Sequence, residues 1–271
     1  MKQGFVKVAS ATPRIRVADP VYNAQVICEQ AKEAAEHGAK IVVFPELCIT
    51  GYTCNDLFLQ ELLLEKAKEA LLTIVEETGQ LEALFLVGLP VDKDGRLYNV
   101  AAVLYRGRIL GMIPKKNIPM YAEFYEGRHF TPGEETVTEY RLGKQEIPFG
   151  TNLLFRCEEL PELILGCELC EDLWVAEPPS TSHALMGATV IANLSASNET
   201  VSKDDYRTLL VKASSARLLC GYIYTSAGEG ESTQDLVFGG HDLIAENGTL
   251  LAQSARFTTG ILYTDLDVLK I

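Results

Sequence analysis

The chain has 271 residues, 47% of them hydrophobic and 23% charged, with a formal net charge of −13. That is enough apolar material for a sizeable core. The acidic excess argues against nucleic acid and anionic membranes as partners, since both select a basic surface.

The first segment, Phe5 to Ala9, reads as a strand, so the N-terminus lacks the layout of a signal peptide. No apolar run is long enough to span a bilayer, and a cytoplasmic location is the expectation. Val21 to His37 has helical spacing closed by Gly38, and Ile41 to Phe44 is a short apolar strand suited to a covered sheet. Asp56 to Gly79 reads as one long helix and Ala83 to Leu89 as a strand. Asn99 to Tyr105 and Arg108 to Ile113 follow as strands joined at Arg106-Gly107. Thr131 to Gly150, broken by Pro132, Gly133 and Pro148, reads as loop.

Beyond it, Leu153 to Arg156, Leu163 to Cys167, Thr189 to Leu194 and Tyr222 to Ser226 are strands, with helices at Thr181 to Gly187 and Asp204 to Cys220. His241 to Asp267 reads as a meander turning at Asn247-Gly248. The alternation with inserted hairpins predicts a mixed α/β sheet with helices on its outer faces, and the similar texture of residues 1–130 and 150–271 suggests two sheets packed inside two helix layers as one domain, a step the pattern alone does not force.

Three apolar strands run into a polar residue and a loop: Ile41 to Glu46, Ile109 to Lys115, and Leu163 to Cys170. Ligands of α/β sheets gather outside the carboxyl ends of strands, so a carboxylate, an ammonium and a thiol delivered there could share a pocket. A free thiol has a pKa of about 8.5 and needs a base. None of His37, His129, His183 and His241 sits at a strand end beside a motif, and His129 is a secondary candidate. Glu46 is the natural replacement, across a gap of about four pKa units, or about 5.7 kcal/mol. Burial of Glu46 and the charge of Lys115 would narrow that gap. Lys115 could also steady an oxyanion, and the set is consistent with acyl transfer through a thioester.

Each residue alone has an ordinary reading: a surface carboxylate, a solvated lysine, and a C-x-x-C pair with Cys167 that could be redox-active or half a zinc site. Seven scattered cysteines do not look like a disulfide framework. No second cysteine pair with metal-ligand spacing exists, so no metal is expected.

Together these segments resemble the nitrilase superfamily of carbon–nitrogen hydrolases, which places a Glu–Lys–Cys triad in this chain order on a four-layer αββα sandwich. The matching runs are Phe44 to Tyr52, Pro114-Lys115 through Glu126, and Cys170 to Trp174 with Pro178 to Ser180. The run from Tyr121 to Glu126, with Asn193 to Asn198 and Ala227 to Thr233, is similar to one branch, the glutaminase domains of glutamine-dependent NAD synthetases. The resemblance covers residues 1–271 as a single domain.

It implies Glu46 as general base, Cys170 as nucleophile, Lys115 at the oxyanion and Glu123 as a second glutamate near lysine and cysteine. Tyr121 and Phe124 would line a glutamine pocket. Glu171, Ser197 and Lys203 would contact the amino-acid end, with Arg207 as an alternative to Lys203. It further implies L-glutamine as substrate, a homo-oligomer, and a partner ATP-dependent NAD synthetase domain in cis or trans. ATP and Mg would belong to that absent domain, since no glycine-rich phosphate loop occurs in this chain. A small-amide hydrolase, a non-catalytic domain of the same fold and a C-x-x-C redox protein are the competing readings.

Overall fold

The computed structural model describes residues 3–271. Strands β1 (Phe5–Thr12), β2 (Ile41–Val43) and β3 (Leu84–Lys93) lie side by side and parallel, with helices α1 (Pro20–Glu36) and α2 (Glu61–Glu77) connecting them. β4 (Arg96–Tyr105) and β5 (Arg108–Pro114) then run antiparallel to their predecessors, so β5 points the same way as β2 and β3. A second parallel set, β9 (Ile164–Leu169), β10 (Val190–Ser195) and β11 (Gly221–Ser226), is connected by α3 (Pro179–Leu185) and α4 (Lys203–Leu218).

The period-2 alternation of side chains divides each strand between two cores. In the first sheet Val6, Val8, Ile41, Val43, Leu86 and Val103 meet Leu165, Cys167, Leu169, Val190 and Ile223 of the second. The alternate residues Ala9, Ala11, Val42 and Phe44 face outward onto α1 and α2 through Ile27, Ala31, Leu71 and Ile74. On the far side Val211 of α4 packs on Ile191, Tyr222 and Tyr224. The result is the expected αββα sandwich, and no helix among the described residues is long and apolar enough to cross a membrane.

Four boundaries depart from the sequence reading. The helix expected over Asp56 to Gly79 is two pieces: a 3-10 segment Tyr52–Leu59, then α2 after an extended Gln60. Asn55 at φ 50° breaks the first piece, which side-chain periodicity does not register. The strand pair around Leu89 and Asn99 is longer than expected, because Asp94 and Gly95 both take positive φ in the tight turn that joins β3 to β4. The stretch Thr131 to Gly150 contains a hairpin, β6 (Thr138–Leu142) and β7 (Gln145–Phe149), at the edge of the first sheet. Tyr140, Ile147 and Phe149 anchor it, and Pro148 is tolerated in this edge hairpin. The terminal meander splits: β12 (Leu243–Glu246) and β13 (Thr249–Gln253) join the second sheet, whereas β14 (Gly260–Asp267) crosses to pair with β1 in the first.

One close approach positions the candidate site. A Cβ on Gly88 of β3 would lie 2.3 Å from the Leu47 amide nitrogen and 2.6 Å from the Pro45 carbonyl oxygen. The turn bearing Glu46 therefore sits directly on a strand that must lack a side chain there. Gly88→Ala is expected to cost about 1–3 kcal/mol in denaturant unfolding, the usual scale of overpacking. It should reduce activity far more than that loss explains, because it displaces Glu46; full activity in a folded Gly88→Ala protein would contradict this packing.

Candidate active site

Glu46 follows β2 through Pro45, in a turn whose next residue, Leu47, has φ 52°. Its amide donates to the Ser195 carbonyl at the end of β10, 3.2 Å away, which ties the two sheets together at this edge. Lys115 directly follows β5, its amide held by the Asn99 carbonyl at 2.8 Å. Cys170 directly follows β9 and opens a short 3-10 turn, Cys170–Leu173, with φ 40°. Left-handed backbone at a non-glycine residue costs of order 1 kcal/mol or more and persists where the surroundings impose it. Asp172 is one such constraint: its carboxylate accepts from the Leu169 amide at 3.0 Å and from the Asn117 amide at 2.8 Å, clamping the cysteine turn to the lysine loop.

The charged centre is fully buried. The Lys115 Nζ lies 2.7 Å from Glu46 Oε1 and 2.7 and 2.9 Å from the two oxygens of Glu126. Glu46 and Lys115 are 0% exposed. Tyr52 also donates to Glu126 Oε1 at 2.8 Å, and Asn99 Nδ2 to Glu46 Oε1 at 2.7 Å. Glu46 Oε2 has no hydrogen-bond partner. An ammonium has three N–H bonds; here they face Glu46 Oε1 and both oxygens of Glu126. The Ala196 amide hydrogen-bonds Cys170, beside the end of β10.

Burial, opposed by the Lys115 charge, raises the Glu46 carboxyl to about 7. Burial opposes the Lys115 ammonium too, but Glu126 and Glu46 outweigh it and hold its pKa well above the ordinary lysine value. Burial and then the Glu46 charge push the Cys170 thiol well above the ordinary range, with Lys115 only partly offsetting them. The expectation that the gap between Glu46 and Cys170 narrows is thus not met in the empty site: both rise. Two carboxylates already surround one ammonium, and a thiolate would add a second net negative charge to a dry site. The surroundings thus favour the neutral thiol at Cys170 over the thiolate.

Glu126, rather than Glu123, is the second glutamate on Lys115, which corrects the position assigned from sequence. Glu123 accepts from Asn198 Nδ2 at 2.6 Å instead. Both lie in the same run, and its kink at Ala122, φ 47°, with the 3-10 turn Glu126–Arg128, decides which side chain points inward. The remaining residues form one flank. Tyr121 donates to Glu171 at 3.0 and 3.1 Å and meets Phe124 edge-on at 5.8 Å. The Lys203 ammonium bonds Asn198 Oδ1 and lies over the rings of Phe124, at 5.4 Å, and Trp174, at 5.1 Å.

Ser197 is buried, its hydroxyl oxygen accepting from Arg207 at 3.2 Å. Arg207 is wholly enclosed and spends its guanidinium on Glu199, His241, Ser197 and the Asn198 carbonyl, so Lys203 is the cation left for a ligand. Burial lowers the Lys203 pKa, while Cys170, Glu123 and Glu171 raise it. Sequence reading gave no role to Asn99, nor to Asp172, Asn198 and Trp174 within the matching runs; the first three bond side chain to distant segments, and the Trp174 ring lies under Lys203.

The alternatives fare differently. His129 bonds Asp56 at 2.9 Å, His183 the Thr151 carbonyl, and His241 Arg207 and Gln253, so none of them serves the thiol. Cys167 points into the core between the sheets, and burial raises its pKa well above the thiol range, which removes the basis for a C-x-x-C redox pair. Among the described residues no group of His, Cys, Asp and Glu could hold a metal ion.

Residues 7–271 match the carbon-nitrogen hydrolase family model. The chain belongs to the carbon-nitrogen hydrolase family. It is 44% identical over 267 residues to the glutamine-dependent NAD(+) synthetase of Mycobacterium tuberculosis, covering 98% of this chain and 39% of that relative. The chain thus spans well under half the length of the curated relatives it matches. The glutamine-dependent NAD(+) synthetase structure from Cytophaga hutchinsonii superposes with a TM-score of 0.87 at 28% identity, over 97% of this chain and 43% of that one. An amidase from Nesterenkonia, in a structure with the acetamide moiety of fluoroacetamide covalently added at its active site cysteine, shares the fold at TM-score 0.76 and 20% identity. It covers 100% of this chain and 95% of its own.

The placement of the two glutamates is directly testable. Glu126→Gln is expected to lower kcat/KM about 100-fold or more, since Lys115 loses a charge partner inside the site. Glu123→Gln should stay within about threefold. The reverse order in steady-state assays would restore Glu123 to the site.

Proposed function

We propose that the chain is a glutaminase that hydrolyses the side-chain amide of L-glutamine through a Cys170 thioester. The observation that carries this is the pairing of the buried Glu46–Lys115–Glu126 cluster with a flank of opposite charges suited to a free amino acid. Glu171 with Tyr121 suits the α-ammonium group, and Lys203 with Ser197 suits the α-carboxylate.

Chemically, the Cys170 sulfur attacks the amide carbon as its proton passes to the unpartnered Glu46 Oε2. Lys115 turns one N–H from its bidentate contact with Glu126 to the oxyanion and steadies it. Glu46 returns the proton to the leaving nitrogen, so ammonia departs and an acyl-thioester remains. Water then attacks, giving its proton to Glu46, and the thiol is restored as glutamate leaves. Every proton is accounted for by one carboxylate oxygen, which explains why a base with a pKa near neutrality serves both halves.

In this reading the ammonia serves an ATP-dependent NAD synthetase domain, in cis or trans, that amidates deamido-NAD; ATP and Mg belong to that domain. A cytoplasmic, oligomeric protein fits this role. A free-standing amidase is the second reading, favoured by the amidase fold match along nearly the whole of both chains. It leaves Glu171 and Lys203 without a task, because an uncharged amide needs neither.

Incubation with the electrophilic glutamine analogue diazo-oxo-norleucine should add one adduct by intact mass, absent in Cys170→Ala and blocked by glutamine. Adduct formation unaffected by Cys170→Ala would sink the proposal. Lys203→Ala should raise KM for glutamine about 10- to 100-fold with little change in kcat, the signature of lost substrate binding. Equal turnover of glutamine and propionamide by the wild type would favour the amidase. Because Glu46 acts deprotonated and burial raises its pKa, kcat/KM should fall about tenfold per unit as pH drops below about 7. A flat profile down to pH 5 would exclude Glu46 as the base.

A further inference from the structure

Asn99 lies on β4 opposite Pro90 of β3, wholly buried between the two segments that bear Glu46 and Lys115. It touches both. Its backbone carbonyl accepts the Lys115 amide at 2.8 Å, and its side-chain Nδ2 donates to Glu46 Oε1 at 2.7 Å. Glu46 Oε1 thereby receives two donors, Asn99 and Lys115, while Oε2 receives none. Only an amide nitrogen can face an oxygen already engaged by an ammonium, so this orientation is fixed by charge. The consequence for Asn99 is an orphaned Oδ1, buried without a partner. Leaving such an acceptor unsatisfied is unfavourable, yet the fold accepts it at this position.

We propose that Asn99 is the positioning residue that divides the labour of the Glu46 carboxylate, anchoring Oε1 so that Oε2 alone takes the cysteine proton. Two donors on one oxygen lock the rotation of the carboxylate and stabilise its ionised form. This counteracts the burial that raises its pKa, in the same sense as Lys115. Lys115 alone could not do both, because it also serves Glu126. Asn99 thus keeps the base ionised at neutral pH and aims its free lone pair without itself meeting the reacting atoms.

The inference rests on Glu46 being the base but not on glutamine being the substrate, and the test separates the two. Cys170 alkylation by iodoacetamide, followed by peptide mass across pH in the wild-type protein and Asn99→Leu, needs proton removal but no glutamine. Leucine keeps the volume and lacks the donor. The expected result is an acid limb displaced upward by about one pH unit, with alkylation about fivefold slower at pH 7 and about tenfold slower at pH 5. For the overall reaction, kcat should fall while KM for glutamine stays within about twofold. Asn99→Ser, smaller and still polar, is the second variant should leucine not fold, and the same displacement is expected. An acid limb unchanged in either folded variant overturns the proposal. Absence of glutamine turnover in the wild type, with the displaced limb intact, would instead count against the glutaminase reading alone.

Discussion

The ammonium of Lys115 is the constraint around which this site is organised. It is wholly buried, and removing such a charge from water is costly unless close partners compensate. Glu46 and Glu126 supply them from two different segments, and Lys115 comes from a third. None of these segments could bury its charge alone. The cluster therefore forms only when β2, β5 and the Tyr121–Glu126 loop are assembled, and it makes the correct assembly of the first sheet a condition for stability as well as for chemistry.

The same cluster dictates how the nucleophile behaves. With one positive and two negative groups already enclosed, a resting thiolate at Cys170 is disfavoured. Cysteine sites that rely on an ion pair with histidine solve a different problem, storing the thiolate beforehand. In the proposed mechanism the proton instead moves as the sulfur attacks the amide. In the proposed reaction the unpartnered Glu46 Oε2 takes the proton and a Lys115 N–H, turned from its bidentate contact with Glu126, meets the oxyanion. Both point to transition-state charge rather than to the resting site.

Around this centre the backbone carries strain at two of the working residues or their neighbours, Leu47 and Cys170, both at positive φ. Asp172 and Gly88 are what make the strained turns tenable: one bonds the cysteine turn to the lysine loop, the other clears space beneath the glutamate turn. The two sheets meet where the Glu46 amide reaches the Ser195 carbonyl, so the Glu46 turn of one sheet and the Cys170 turn of the other share a fixed frame.

Glu46, Lys115 and Cys170 could be picked out from sequence as candidates because each follows an apolar strand, and the fold brings the ends of those strands, two from one sheet and one from the other, to the same edge of the sandwich. The helices and strands were legible because alternation and helical spacing report which faces are covered, whereas the packing of two sheets into a sandwich is not forced by that pattern and came with the family resemblance. What sequence could not supply was anything decided by irregular backbone or by contact between distant segments. Glu123 and Glu126 stand three residues apart in one polar run, and only the kink at Ala122 puts the second on Lys115. Asn99 reads as an ordinary strand residue until Glu46 is folded over it. The crossing of β14 into the first sheet is likewise invisible locally, since pairing partners are chosen by the whole sandwich. Periodicity is a property of a single segment and survives in the sequence. The choice among equivalent charges, and the direction of each pKa shift, depend on burial and on neighbours that only the closed fold brings into range.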